Sequence, residues 1–280
     1  MNGILLINKS EGKTSRDIVN DCMHIFNTKK IGHTGTLDPL ATGVLVITIG
    51  RYTKLGDALT STYKEYIAEF KLGIETDTLD ITGNILNEEE INVEKDKLIN
   101  IINSFKGVYE QEVPKYSAVK IKGKKLYEYA RNNEDIELPK REVDVKNIEV
   151  LNINNDLVTI KCLVSKGTYI RSLIRDIGTK LGTYATMTKL ERTKQGKFNI
   201  EDAYTIEDVR NNKYKLLTIE DVLDTEIVNL EDSELLKIDS GNPIEKEYTK
   251  DYILFKYKGL EHALYKYEDN KYKMYIKIKI

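Results

Sequence analysis

The sequence predicts a mixed α+β protein that is rich in strands and ends in a small β-rich module. Three observations favour this class. Apolar residues recur at helical spacing in three separate stretches, while other stretches are β-branched runs or alternate between apolar and polar residues. After about residue 225 only short alternating runs remain. We therefore predict a large domain over residues 1–225 and a small β domain over residues 226–280.

The first elements are a strand, a helix, a loop and a second strand. Residues 4–7 are apolar and predict a short buried strand, after which Thr14 or Ser15 is a suitable N-cap for a helix. Residues 32–43 hold three glycines and one proline and predict a loop, and the β-branched run at 44–49 predicts a central strand. The buried face of the helix is predicted to comprise Ile18, Val19, Cys22, Ile25 and Phe26.

The middle of the chain continues this mixture. Residues 63–72 alternate and predict a strand whose better-buried face carries Tyr66, Ala68 and Phe70. Two further strands are predicted at 143–151 and 157–164, joined by a turn at 154–156. One amphipathic helix is predicted around Leu98, Ile101, Ile102 and Phe105, and another from the stripe of Ile170, Leu173, Ile174, Ile177 and Leu181. The last predicted strands are 252–258, 262–267 and 273–280.

Composition excludes several classes of protein. The 280 residues are 40% hydrophobic and 31% charged, which is ordinary for a folded chain and unlike disordered proteins. No apolar stretch approaches the roughly 20 residues that cross a bilayer, and residues 4–7 are too short for a signal-peptide core. We therefore expect a cytoplasmic protein. Cys22 and Cys162 are isolated from other cysteines and histidines, so neither a disulfide nor a metal site is predicted.

Charge is segregated along the chain although the formal net charge is only −2. Residues 114–131 hold six basic side chains and one acidic, and residues 161–197 hold nine basic and two acidic, whereas residues 75–97 hold eight acidic and two basic. Three tyrosines lie within the first basic segment. Basic segments with interleaved aromatic residues suit RNA, because phosphates bind the cations and unstacked bases stack on the rings. The alternative is that these lysine-rich segments are ordinary solvated surface.

The glycine-rich segment at 32–43 is the strongest candidate for chemistry. It delivers one acid, Asp38, and one histidine, His33, between a predicted helix and a buried strand, which is how a scaffold presents reactive side chains at a rigid edge. Its glycines do not fit a dinucleotide-binding or phosphate-loop spacing. Taken alone, an aspartate before a proline is more often a turn former.

Four motifs in this sequence resemble those of one family, the TruB-type pseudouridine synthases, which modify a uridine in the T-loop of transfer RNA. They are HTGTLDPLATG at 33–43, KEY at 64–66, YSAVK at 116–120 with GKKLYEYAR at 123–131, and KGTYIR at 166–171. The resemblance extends from residue 3 to about residue 195. It implies an α+β catalytic domain with an antiparallel-rich mixed sheet, followed by a small domain of the PUA type.

The resemblance also implies the roles of three catalytic residues. Isomerising uridine breaks the glycosidic bond, turns the base and rejoins it through carbon, so the reaction has no redox change and needs no cofactor. Asp38 is implied as nucleophile or base, and the sequence does not decide between these routes. Arg171 is implied as the neighbour that keeps this carboxylate ionised. Tyr66 is implied to stack on the target base and to take part in proton removal from the new carbon–carbon linkage.

The remaining implied roles concern RNA binding. The target base is flipped out of its loop at a cost of a few kcal/mol. His33 is implied to contact the T-loop that base flipping disturbs, and Leu190 matches the apolar residue of the family's pocket. Lys9 matches a lysine of the family's N-terminal motif and is predicted to bind RNA. A segment at about 114–135 resembles the family's mobile thumb, which would close over the RNA; its predicted RNA-binding residues are Lys120, Lys124, Lys125 and Arg131. Ser10 stands where the family usually has proline, which affects the turn and not the catalytic residues.

Two function classes stay open at this point. The first is a metal-free enzyme that acts alone, as a monomer, on the T-arm of transfer RNA, without a membrane or an obligatory protein partner. The second is an RNA-binding or RNA-folding protein in which catalysis is secondary or absent. Related guide-RNA-dependent synthases share the core motifs and need partner proteins. This chain lacks their lysine-rich extensions, which favours recognition without partners.

Overall fold

The structure, a computed structural model, describes residues 1–60, 63–132, 134–245 and 248–279. Asn133, in the predicted thumb segment, and Ile280, at the end of the last predicted strand, lie outside the described residues. The strands are β1 (Gly3–Lys9), β2 (Ile31–Thr34), β3 (Thr42–Ile49), β4 (Lys64–Leu72), β5 (Ile74–Thr76), β6 (Ile85–Glu88), β7 (Gly107–Glu112), β8 (Lys120–Ile121), β9 (Lys124–Lys125), β10 (Lys140–Asn154), β11 (Leu157–Val164), β12 (Ala185–Gln195), β13 (Phe198–Asn199), β14 (Thr225–Leu230), β15 (Tyr252–Tyr257), β16 (Leu260–Glu268) and β17 (Lys271–Lys277).

Helices are distributed between the strands. The α-helices are α1 (Ser15–Ile25), α2 (Gly56–Thr60), α3 (Lys95–Asn103), α4 (Leu126–Arg131), α5 (Ile170–Leu181), α6 (Ile206–Arg210), α7 (Ile219–Val222) and α8 (Asp232–Asp239), with 3₁₀ helices at Gly50–Leu55 and Ile200–Asp202. The N-cap of α1 is Thr14, which forms a reciprocal capping box with Asp17. Helix α5 ends at Gly182, whose φ of 84° is the left-handed conformation that favours glycine. Within the described residues, no helix is long and apolar enough to cross a membrane.

A large sheet of nine strands, counted over the described residues, forms the centre of the protein. Its main path runs β1-β3-β12-β4-β11-β10-β7, with β2 beside β3 and β13 beside β12. Every pairing in it is antiparallel except that of β12 with β3, which is parallel and joins Arg192 to Gly43. The implied antiparallel-rich mixed sheet is therefore confirmed. A second sheet, β14-β15-β16-β17, lies in the C-terminal part of the chain.

The two faces of the large sheet bury different cores because side chains alternate along each strand. Leu5 and Ile7 of β1 face helices α1, α3 and α5, whose apolar stripes complete the main core. Ile4 and Leu6 face the opposite way and share a second core with Leu254, Leu264 and Ile276 of the C-terminal sheet. The C-terminal sheet thus packs on the back of the large sheet. The division of the chain at residues 225 and 226, and the PUA-like identity of the second part, stay proposals.

Most predicted elements are confirmed, with shifted ends. The strand predicted at 44–49 begins at Thr42, and the strand predicted at 143–151 extends over Lys140–Asn154. The loop predicted over residues 32–43 is too long at both ends. Ile31–Thr34 pairs with β3 as an edge strand, and β3 itself begins at Thr42. Gly32 is accommodated there in extended pairing, so its presence does not interrupt the strand. The loop that carries Asp38 is therefore shorter than predicted and is held at both ends by the same strand.

Polar contacts reinforce the junction between the two sheets. The hydroxyl group of Tyr52, a residue that is 2% exposed, donates a hydrogen bond to the carboxylate of Glu261 in β16. The other carboxylate oxygen of Glu261 accepts from the backbone N–H of Ile219, 3.2 Å away. Because of burial and this acidic partner, the pKa of Tyr52 is well above its ordinary value. The phenol therefore stays protonated and keeps its donor role at neutral pH.

We predict that Tyr52→Phe lowers the free energy of unfolding by about 1–3 kcal/mol, because a half-buried carboxylate loses a donor. Urea denaturation followed by circular dichroism measures this change. Tyr275→Phe is the control, because its hydroxyl donates to the carbonyl of Lys54 at an exposed edge, 2.9 Å away, and should matter less. Two separate unfolding transitions in the wild type would contradict a core shared between the sheets.

Candidate active site

A cleft of about 720 Å³ opens between the Asp38 loop, strand β4, the start of the predicted thumb segment and the first turn of α5. Three predicted catalytic residues, Asp38, Tyr66 and Arg171, line it together. The predicted RNA-binding residues His33, Lys125 and Leu190 line it as well. Residues more than 130 positions apart in the sequence are therefore brought to one cavity by the strand order of the large sheet.

Asp38 lies on a loop that is fixed on both sides of the aspartate. The buried hydroxyl of Ser15, at the start of α1, accepts from the backbone N–H of Leu37 at 2.8 Å and donates to its carbonyl at 3.1 Å. The carbonyl of Asp38 itself accepts from the N–H of Ala41 at 3.1 Å. The backbone is thus held on the helix, while 36% of the aspartate side chain remains exposed to the cleft.

Arg171 is buried beside this carboxylate. Its Nε lies 2.9 Å from Oδ2 of Asp38, an ion pair whose N–H is poorly aligned for a hydrogen bond. Nη1 donates to the carbonyl of Thr78 at 2.8 Å, and Nη2 donates to the carbonyl of Tyr116 at 3.0 Å. Asp80 lies 3.8 Å from Nη1 and is a second acidic neighbour. The guanidinium plane is therefore fixed by three segments of the chain at once.

The first turn of α5 is positioned by a glutamine from the neighbouring strand. Gln111 of β7 is fully buried, accepts from the backbone N–H of Tyr169 at 2.8 Å and donates to the carbonyl of the same residue at 3.1 Å. One turn of backbone is thus clamped two residues before Arg171. Ser172 donates to the carbonyl of Glu112 at 2.8 Å and ties the same turn to the end of β7.

Tyr66 and Leu190 form an apolar wall of the cleft. They lie on adjacent strands, β4 and β12, and each is 7% exposed. Burial raises the pKa of the Tyr66 phenol, and the nearby Arg192 guanidinium opposes this shift. On the opposite side of β4 from β12, Tyr66 pairs with Cys162 of β11, which is also buried. The phenol oxygen is therefore one of few polar groups on this wall.

Two buried cations near the cleft are not predicted by the sequence analysis. Arg192 is fully buried in β12, and Lys64 is 7% exposed at the start of β4. Burial, with Arg192 and Lys166 nearby, lowers the pKa of Lys64 to about 8. The signal that identifies both is strand periodicity, because Lys64 precedes Tyr66 by two residues and Arg192 follows Leu190 by two.

His33 lies in β2 at the edge of the cleft. Its Nδ1 is buried and has no hydrogen-bond partner among the described residues. Burial, together with Arg192 and Arg16, lowers the pKa of the imidazole, so its neutral form is favoured. A neutral imidazole facing a cavity is suited to a polar contact with a base rather than to an ion pair with phosphate.

The basic residues of the thumb segment lie over a small hairpin and helix, formed by β8, β9 and α4. Lys124 contacts Glu134 at 2.5 Å and lies over the ring of Tyr129. Lys125 donates to the hydroxyl of Tyr127 at 3.1 Å. Arg131 lies over the ring of Tyr127, and Lys120 is exposed on β8. These side chains are near the surface, and Lys125 reaches the cleft itself.

The position of Lys9 corrects the prediction that it binds RNA. The residue is fully buried, and its Nζ donates to the carbonyls of Lys13 at 2.6 Å, Ser10 at 2.9 Å and Pro39 at 3.3 Å. Burial lowers the pKa of this lysine to about 8. With all three ammonium hydrogens directed at carbonyls inside the protein, Lys9 anchors the Asp38 loop and has no route to a phosphate.

A larger groove, of about 1000 Å³, lies elsewhere, between the acidic residues 88–90 and the turn at 153–156. It contains none of the predicted site residues, and its lining mixes carboxylates, asparagines and two lysines with branched aliphatic side chains. No group of three or more potential metal ligands is found among the described residues. We therefore take the smaller cleft, where the acid, the arginine and the tyrosine converge, as the candidate active site.

Two family models match the sequence. A family model described as the N-terminal domain of the TruB family pseudouridylate synthases matches residues 23–170, and one described as the tRNA pseudouridylate synthase B C-terminal domain matches residues 171–234. A chain in a crystal structure of a Cbf5-Nop10-Gar1 complex superposes with a TM-score of 0.70 at 25% identity, over 99% of this chain and 84% of that chain.

Two curated relatives carry the name tRNA pseudouridine synthase B. The protein of Clostridium tetani is 42% identical over 90% of this chain and 93% of its own length. The protein of Caldicellulosiruptor saccharolyticus is 40% identical over 99% of both chains. With a family model over half of its length and relatives this similar over nearly all of it, the chain belongs to the TruB family of pseudouridylate synthases.

Proposed function

We propose that the protein isomerises the T-loop uridine of transfer RNA to pseudouridine. The observation that carries this proposal is the ion pair of Asp38 with Arg171 at the mouth of a cleft whose wall is Tyr66. A carboxylate, a fixed cation and a phenol on an apolar wall supply what the isomerisation needs. Relatives that match nearly the full chain are named for the same reaction.

In the proposed reaction the uridine flips into the cleft and its base lies against Tyr66 and Leu190. Asp38 acts as nucleophile or base at the sugar while the bond from C1′ to N1 breaks. The freed base turns, C5 joins C1′, and the proton on C5 leaves. The product has the same atoms and oxidation state as the substrate, so we propose no metal or cofactor.

Every group in this proposal comes from one chain. We therefore propose that the protein acts as a monomer in the cytoplasm, where transfer RNA is found, and needs no protein partner. The basic thumb segment over the cleft is proposed to hold the RNA through Lys120, Lys124, Lys125 and Arg131, with His33 in contact with the disturbed loop. The alternative of an RNA-folding protein without catalysis leaves the convergence of Asp38, Arg171 and Tyr66 unexplained.

The test compares the wild type with Asp38→Asn on an unmodified T-arm stem-loop RNA. This substitution preserves the shape of the side chain and removes its charge. We expect pseudouridine formation to fall at least about 1,000-fold while RNA affinity stays near that of the wild type. Single-turnover assays with position mapping give the rate, and filter binding gives the affinity. Asp96→Asn, on the exposed surface of α3, is the control. Substantial product from Asp38→Asn would exclude a carboxylate mechanism.

We predict that Arg171→Lys lowers the rate constant at least about 100-fold. An ammonium group cannot contact Asp38 and the carbonyls of Thr78 and Tyr116 in one plane. The rate constant at saturating RNA is the measurement. Arg175→Lys is the matched control, one helical turn further along α5 and paired with Glu112 and Asp176. A normal rate in Arg171→Lys would show that charge alone, without the planar contacts, suffices.

We also predict that replacing Lys124 and Lys125 together with alanine weakens RNA binding and reduces the salt dependence of log Kd by about one to two units of slope. Titrations between 50 and roughly 200 mM salt measure the slope. The matched control replaces Lys95 and Lys97, two exposed lysines in the acidic segment, with alanine. An unchanged slope in the first variant would remove the thumb from the RNA interface.

A further inference from the structure

Arg192 lies on β12 at the point where this strand pairs with both β3 and β4. Its backbone pairs in parallel with Gly43 of β3 on one side and antiparallel with Tyr66 of β4 on the other. Residues directly opposite one another in a sheet direct their side chains to the same face. The side chain of Arg192 therefore runs between the end of the Asp38 loop and the phenol of Tyr66, where its exposure is 0%.

This side chain closes the Asp38 loop at its base. Nε donates to the carbonyl of Val44 at 2.8 Å, and Nη2 donates to the carbonyl of Gly35 at 2.9 Å. Gly35 is the first residue of the loop after β2, and Val44 lies in β3 just after the loop ends. One planar group thus fixes the spacing between the two strands from which the loop projects.

The guanidinium of Arg192 also lies near the phenol of Tyr66, because the two residues are directly opposite each other on β12 and β4 and line the same cleft. The cation is therefore placed between the base of the Asp38 loop and the phenol on the cleft wall. A cation in this position stabilises the phenolate form of Tyr66, whereas a buried phenolate without such a neighbour would be strongly disfavoured.

The charge of Arg192 is not neutralised in the structure. Over the described residues, no carboxylate lies within 4.0 Å of its guanidinium, in contrast to Arg171, which has Asp38 and Asp80. A buried cation without a counter-ion is unfavourable unless an anion forms beside it. The ionisable residue directly opposite Arg192 in the sheet is Tyr66. The other titratable groups around these two side chains are Lys9, His33, Lys64, Asp38 and Cys162.

We propose that Arg192 is a positioning residue for the last step of the isomerisation: it stabilises the phenolate form of Tyr66, which takes the proton from C5 and thereby becomes the neutral phenol. The inference rests on the proposed function. In this step the C5–H electron pair forms the C5=C6 bond, the C6=N1 pair moves to N1, and N1 takes a proton from solvent. Tyr66 later returns its proton to solvent, so atoms and charge balance.

The test uses Arg192→Gln, which keeps a donor and removes the charge. We expect the single-turnover rate at saturating T-arm RNA to fall at least about 30-fold, with Kd changed less than about threefold. Loss of the cation raises the phenol pKa, so the ionised fraction falls and the pH of half-maximal rate moves upward. Arg175→Gln is the matched control and should keep the wild-type pH profile.

A fluorinated tyrosine at position 66 separates this role from a structural one. Its phenol is more acidic, so it should raise the rate of Arg192→Gln at neutral pH by at most about tenfold per unit of pKa lowered, with the same residue in the wild-type background measured as the reference. A wild-type pH profile in Arg192→Gln, or no rescue by the fluorinated residue, would overturn the inference. An inactive wild type would instead overturn the proposed function.

If Arg192→Gln does not fold, Arg192→Lys serves in its place. A lysine keeps the charge, but its single ammonium cannot donate to both Gly35 and Val44 while lying near Tyr66. The readout is the pKa of the Tyr66 phenol, followed by NMR with labelled tyrosine and assigned with Tyr66→Phe. We expect this pKa to rise above the wild-type value. An identical pKa in both proteins would contradict the role of Arg192.

Discussion

The parallel contact between β3 and β12 at Gly43 is the constraint on which the site depends. A Cβ atom at Gly43 would lie 2.2 Å from the carbonyl oxygen of Arg192, so the two strands approach as closely as they do only because residue 43 is glycine. Its φ of 104° is likewise a conformation that other residues rarely adopt. This approach places the Asp38 loop, formed in the first 45 residues, against Leu190 and Arg192.

The two buried arginines of the site have different electrostatic surroundings. Arg171 lies between Asp38 and Asp80, so its charge is compensated and its geometry is fixed before any RNA binds. Arg192 donates to two backbone carbonyls, lies opposite Tyr66 in the sheet and has no carboxylate within 4.0 Å in the described part of the chain. The first arrangement suits a group that keeps an existing anion in place. The second arrangement suits a cation that stabilises an anion formed during the reaction.

Much of this arrangement was predictable from the sequence. Alternation along 63–72 places Tyr66 on a buried face, and helical spacing identifies α5, but only motif resemblance singled out Asp38, Tyr66 and Arg171 among ordinary turn, strand and helix residues. Strand β12 was missed because two irregularities, near Thr188 and Thr193, break its alternation. The burial of Lys9 was missed because its partners are backbone carbonyls, which leave no pattern in the sequence.

The proposed function is one reaction at one nucleotide, carried out by one chain. The most direct test is to incubate the purified protein alone with unmodified full-length transfer RNA transcripts and to map pseudouridine at every uridine. We predict a single modified position, in the T-loop, formed without any other protein. Tight binding of the transcripts with no pseudouridine formed, or pseudouridine only outside the T-loop, would contradict the account.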